Sequence, residues 1–386
     1  MKKANSILVI ILLLMAGCGS KQSTDDLIIV DVTKSYPEKE LILQDFMDVE
    51  YIVLETTDEF LTHGLVLSIG RDIILVRNRV RDGNIFIYDK DGKGLRKINR
   101  MGQGGEEYID ISGIVLDEDT GEMFVNDVFT KKIFVYDLYG KFKRSFRHKE
   151  DAMYNSIYNF NRENLICYDG SSSNEGQSFA VISKQDGSIT KEIQIPFKEK
   201  KTVRLRVRDE VNNTTFSVGP TTIYPIIPYY DNWILTEYSS DTVFRYLPDH
   251  NMTPFIIRTP SIQSMDPEVF LFSGIITDHY YFMETVKKVY DFATQDGFPS
   301  TDLVYDKQEN AIFQYAVYND DYSNKKQVYM MSRPVNDKIA SWQPLEAYQL
   351  VEAYEKGELK YGKLKEIASK LDAEDNPVIM LVKHKK

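Results

Sequence analysis

Residues 85–98 read IFIYDKDGKGLRKI. Ile85, Ile87 and Tyr88 give way to Asp91-Gly92, and a second alternating run leaves at Leu95. A pair of apolar runs joined by Asp-Gly is a β-hairpin signature, because glycine supplies the positive φ that a tight turn needs. The unit returns at Ile133 to Phe146 as IFVYDLYGKFKRSF and at Phe179 to Ile193 as FAVISKQDGSITKEI. Their turn glycines, Gly92, Gly140 and Gly187, stand 48 and then 47 residues apart.

A strand-built repeat with a period in the forties predicts propeller blades rather than a helical solenoid. Fainter copies follow at Asp241 to Ile257 and Asp302 to Tyr315, with wider spacing that implies insertions. Upstream of each hairpin lie two more apolar segments. They are exemplified by Ile111 to Leu116 with Glu122 to Asn126, and by Leu271 to Ile276 with Tyr280 to Glu284. Each unit is therefore expected to hold four antiparallel strands. Five units are visible, and Val49 to Glu55 (VEYIVLE) with Pro377 to Val382 (PVIMLV) supply strands for a sixth. Joining strands from both termini would leave no open sheet edge. The expected fold is all-β, a six-bladed β-propeller of four-stranded antiparallel blades occupying residues 27–386. A helical segment is predicted near 345–372, where Tyr361, Leu364, Ile367, Ala368 and Leu371 share a face, and a closing strand near 377–383.

The N-terminus carries Lys2-Lys3, an apolar run from Ile7 to Met15, and the small pair Ala16-Gly17 before Cys18. These are the parts of a secretory signal over residues 1–17, and the run is too short to span a bilayer. The end Leu14-Met15-Ala16-Gly17-Cys18 resembles a lipobox. It predicts cleavage before a lipidated Cys18, a polar tether over residues 18–26, and attachment to the outer membrane on a leaflet face left open. An ordinary cleaved signal is the alternative. Cys167 is then left without a partner, in a strand-like stretch that reads as a packed thiol.

A formal charge of -11 argues against nucleic acid as a partner, since phosphates must be neutralised by Lys and Arg. No cofactor is expected. The five histidines are scattered with no local ligand pair, so no metal site is predicted. Asp278-His279 is the least implausible exception. No nucleophile elbow is found, and Gly102-Gln103-Gly104 reads as a link needing positive φ, not as a phosphate loop. Two segments are candidate ligand sites. KEKKTVRLRVR (198–208) puts Arg204, Arg206 and Arg208 on one strand face, suited to an anion or to protecting a sheet edge. YPIIPYYDNW (224–233) gathers Tyr224, Tyr229, Tyr230 and Trp233, suited to sugar rings or peptides, or to core packing.

The chain resembles the Bacteroidota six-bladed β-propeller lipoproteins, relatives of NHL-repeat propellers. The likeness is carried by Ser35 to Thr57, Arg71 to Ile98 and the link GQGGEEY (102–108). Gly105 stands where the family usually has proline, and the stretch from Arg333 to Trp342 looks shortened. The resemblance implies the propeller fold and brings no reaction with it. Function is thus expected to be non-catalytic binding of a glycan, peptide or protein partner by an anchored propeller. A channel-site hydrolase or lyase is the alternative.

Overall fold

The computed structural model describes residues 27–171, 178–209, 213–220, 223–292 and 294–385. The signal segment, Cys18 and the tether lie outside the described residues.

Five four-stranded antiparallel blades follow one another along the chain. Their inner strands are Leu65–Ile69, Gly113–Asp117, Tyr154–Asn159, Ile226–Tyr229 and Val269–Ile276. Their outer strands are Gly94–Asn99, Phe142–Arg147, Ile189–Ile193, Met252–Thr259 and Ala311–Asn319. In blades 1 to 3 the second and third strands are buried on both faces, as in Asn84–Asp89 and Lys132–Asp137, because a blade is covered on both sides by its neighbours.

The turn glycines explain the repeat. Gly92, Gly140 and Gly187 have φ of +89°, +79° and +76°. Each also lies against the preceding blade. A Cβ on Gly140 would stand 2.7 Å from Ile98, one on Gly187 2.4 Å from Phe146, and one on Gly92 2.0 Å from the Val53 carbonyl. Conformation and close approach both exclude a side chain. The link glycines 102, 104 and 105 correct the sequence reading, for none has positive φ. Gly104 N–H donates to Glu107 Oε2 at 2.8 Å, and a Cβ on Gly102 would meet that carboxylate.

Both termini build the sixth blade, with Met47–Val53 pairing antiparallel to Val378–His384 and that strand to Ile339–Leu345. This blade has three strands where four were expected. In the place of its inner strand, residues 330–338 run through the channel and touch the inner strands of four blades. Ile275 N–H donates to the Met330 carbonyl at 3.1 Å, and Asn336 Nδ2 to the Ile69 carbonyl at 3.0 Å. The Tyr158 hydroxyl reaches the Pro334 carbonyl at 3.4 Å, and Arg333 lies 3.4 Å from where a Gly113 Cβ would be.

The N-terminal segment also straps the rim. Ile28–Asp31 adds parallel to the outer strand of blade 4, and Glu38–Ile42 parallel to that of blade 5, before the chain enters blade 6. Both edges are thereby covered. The predicted helical segment forms two helices, Ala347–Glu355 and Lys363–Ala368. They bury Leu350, Ala353, Leu364 and Ile367 against Val378. Tyr361 falls before the second helix and is 94% exposed, so it is not part of the apolar face.

Candidate functional site

The inner strands of the first five blades run in one direction, so their C-terminal ends meet on one face of the ring. There they surround a cavity of about 1390 Å³ on the axis, which the 333–338 segment also lines. The last residues of blade 6's second strand, Lys383 and His384, complete the wall.

One group of side chains at this mouth comes from three blades. Tyr229 and Tyr230 end the inner strand of blade 4, and Asp278 follows that of blade 5. The Tyr229 hydroxyl donates to Asp278 Oδ1 at 3.1 Å and the Tyr230 hydroxyl to Oδ2 at 3.3 Å. The His384 ring lies 5.6 Å from that of Tyr230 and 6.0 Å from that of Tyr229. Burial pushes the His384 imidazole below its ordinary range, while Asp278 and Asp337 pull it back up. Burial, reinforced by Asp278, pushes the Tyr229 hydroxyl far up. Both hydroxyls therefore remain donors at neutral pH. Tyr230 is left-handed, with φ of +47°, an arrangement costing a bulky residue about 1–2 kcal/mol. The Asp278 bond and the His384 ring hold it there, leaving Tyr230 41% exposed to the cavity.

A second group lies deeper. Arg333 is half-buried against the Tyr158 hydroxyl, and its charge offsets part of the burial that raises both Tyr158 and Tyr224. Two acidic residues of the cavity wall are already engaged. Asp117 Oδ2 accepts from Lys184 Nζ at 2.6 Å in a buried pair. Glu118 accepts from the backbone N–H groups of Arg71 at 2.6 Å and Asp72 at 2.9 Å. Arg333 has no carboxylate partner among the described residues.

Of the sequence candidates, Tyr230 is thus brought to the cavity, Tyr229 is buried in the core behind it and bonded to the same Asp278, and Tyr224 is brought into the field of Arg333. Trp233 is 9% exposed and packs between Tyr158 and Phe160, as a core residue. Asp278 does have a histidine in its field, but that histidine is His384, which the 105 intervening residues concealed. Among the described residues no group of three or more His, Cys, Asp or Glu is placed to hold a metal.

Arg204, Arg206 and Arg208 stand elsewhere. Their hairpin, Leu205–Asp209 with Thr214–Val218, belongs to the link from blade 3 to blade 4, on the face where inner strands begin. All three are exposed. The lysines before them are engaged: Lys200 Nζ lies 3.0 Å from the buried Glu237, and Lys201 is 3.2 Å from Glu199. Cys167 is fully buried, and burial pushes its thiol well up, as suits a packed residue.

Residues 19–340 match the family DUF5128, described as a 6-bladed beta-propeller. The match covers most of the sequence, and the chain belongs to that family. No curated protein matches it. Among solved structures it is similar to an exported-protein candidate from Bacteroides fragilis NCTC 9343, with 16% identity and a TM-score of 0.57, over 93% of this chain and 100% of that one. A DUF4221 member from Bacteroides vulgatus ATCC 8482 aligns at 9% identity and a TM-score of 0.47, over 89% of this chain and 100% of that one. At these identities the likeness is one of fold.

Proposed function

We propose that this propeller is an envelope protein, lipid-anchored to the outer membrane through Cys18, that binds a glycan, peptide or protein partner in its axial cavity without chemistry. The observation behind the binding role is the cavity wall itself. Tyr230 is held exposed in a strained conformation by Asp278 and His384, and strained backbone is retained where the surroundings over-determine it for a purpose. An amphipathic ring beside fixed donors and acceptors is the usual composition of a ligand pocket. The anchoring role is supported by the lipobox-like sequence. A Bacteroidota origin is supported by the lipoprotein resemblance.

Two experiments test this reading. A glycan and peptide array probed with the full chain should give a hit that Tyr230→Ala weakens at least tenfold. Hits untouched by Tyr230→Ala would place binding outside the cavity. Processing in cells should stop with globomycin and with Cys18→Ala. Continued processing under globomycin would remove the anchor.

The alternative, a hydrolase or lyase, draws on Asp278 lying beside His384, which sets an acid and a base at one mouth. Turnover of an array hit, abolished in His384→Gln with binding retained, would favour it over simple binding.

A further inference from the structure

We infer that Arg333 makes the inner part of the axial cavity a carboxylate subsite, and that the ligand is an acidic saccharide, an otherwise neutral oligosaccharide bearing one uronate residue. This rests on the cavity-binding reading above and narrows it to a ligand class.

Arginine has five donors in a planar fork that matches a carboxylate, and it stays charged when half-buried. A half-buried charge is costly unless paired, which is why such groups normally face a carboxylate. Arg333 instead faces the Tyr158 hydroxyl, with Tyr224 close enough to feel its charge. Its position is not incidental to the fold. It sits on the 330–338 segment, whose path is fixed by the Met330, Pro334 and Asn336 contacts to inner strands, and it lines the cavity. Asp117 and Glu118, on the same cavity wall, are taken by Lys184 and by the backbone of the Arg71 turn. What is left on Arg333 is donor capacity aimed at an incoming group.

The rest of the wall selects the form of that group. Asp48, Asp117, Glu118, Asp119, Asp278 and Asp337 border the cavity beside Arg71, Arg333, Lys338, Lys383 and Lys385, and Arg71 and Lys383 are paired with Asp119 and Glu50, so the wall has no excess of positive charge with which to hold a multiply charged anion such as phosphate. A single carboxylate spread over a large neutral body fits better. Tyr230 and Trp342, both on the wall, offer flat faces for sugar rings, and the Ser68 and Asn159 side chains, also on the wall, offer polar contacts for hydroxyls.

The test uses minimal pairs. Neutral disaccharides extended by a single galacturonate, glucuronate or mannuronate residue, each as free acid and as methyl ester, are titrated calorimetrically into the full chain. At least one acid should bind tenfold or more tightly than its ester. Arg333→Gln should abolish that difference, with Arg333→Lys between, because an ammonium keeps charge and loses the fork. The melting temperature of each variant is measured alongside. A variant that lost binding through misfolding would also lose ester binding. Acid and ester binding alike would overturn the carboxylate subsite while leaving cavity binding intact. No binding by any of the six would also overturn the inference, and the array with Tyr230→Ala would then decide the broader reading separately.

Discussion

Glu284 and Asp302 stand directly opposite each other on neighbouring strands of blade 5, two carboxyls on one face of a sheet. Glu284 is 5% exposed, and its Oε2, Asp302 Oδ1 and the Tyr315 hydroxyl have no hydrogen-bond partner. Burial raises both carboxyls. The nearby Glu284 adds to the shift of Asp302, pushing it up to about 6. Like charges at this distance cannot both ionise cheaply, so the pair retains a proton into mildly acidic solution.

The sign of the resulting pH dependence follows from the raised value. Asp302 contributes stability that is full below its ordinary 3.8 and lost as pH rises through about 6. Asp302→Asn removes that loss. It should raise stability at pH 7.5 by about 1–2 kcal/mol, allowing for partial solvent access, and by much less at pH 4.5. Urea unfolding at the two pH values measures this. An equal effect at both would mean that the carboxyl does not titrate in this range.

His148 acts in the opposite direction. Its Nε2–H donates to Asn126 Oδ1 at 2.9 Å, and its Nδ1 accepts from the Tyr154 N–H at 3.2 Å, a neutral tautomer locked between blades 2 and 3. Burial lowers it from 6.5 to about 4, with Lys131 adding to the shift. Its contribution is therefore present above 6.5 and lost as pH falls toward 4, by about 2–3 kcal/mol. The His148 and Asp302 effects offset each other between pH 4 and 6. The wild-type profile should look flat there, Asp302→Asn should expose the acid loss, and Asp302→Asn with His148→Gln should flatten it again. A sloping double variant would assign the dependence to other groups.

Closure of the ring depends on Asn376, which is 1% exposed. Its Oδ1 accepts from Thr62 N–H at 2.8 Å and its Nδ2 donates to the Glu55 carbonyl at 2.8 Å, tying the last blade to the link into the first. Asn376→Ala leaves buried backbone groups unpaired and should cost about 2–4 kcal/mol. Deleting residues 377–386 removes the strand between Met47–Val53 and Ile339–Leu345 and should abolish cooperative unfolding. A truncated chain melting like the intact one would mean that the ring closes without this strand.

The arginine hairpin is a separate proposal, an anion-binding edge reduced to three residues because Lys200 and Lys201 are already paired. Arg204, Arg206 and Arg208 all changed to Gln should lose low-salt retention on heparin resin. Stability should change by under about 0.5 kcal/mol, since the three are exposed. Wild-type retention should fall steeply with salt, as exposed charges are screened within about 8 Å at physiological ionic strength. Equal retention of both proteins would leave the hairpin as a charged edge that discourages sheet pairing.

What the sequence determined by itself was the blade and the ring. Strand alternation, the Asp-Gly turn and the spacing of Gly92, Gly140 and Gly187 are local signals, and the turn glycines reflect a contact that each of blades 1 to 3 makes with the one before it. The match of Val49 to Glu55 with Pro377 to Val382 was also legible, because five units with unpaired termini leave few ways to cover two edges. Tertiary structure alone decided the rest. The rim straps at Ile28–Asp31 and Glu38–Ile42 pair in parallel with strands more than two hundred residues away, and no turn or period announces such a partner. The channel path of 330–338, the release of Arg333 from any carboxylate, and the meeting of Tyr230, Asp278 and His384 follow from ring closure. Trp233 and Tyr230 look alike in sequence, three residues apart; one faces a neighbouring blade and the other the axis, and only the position of the whole ring around them makes the first a core residue and the second a wall.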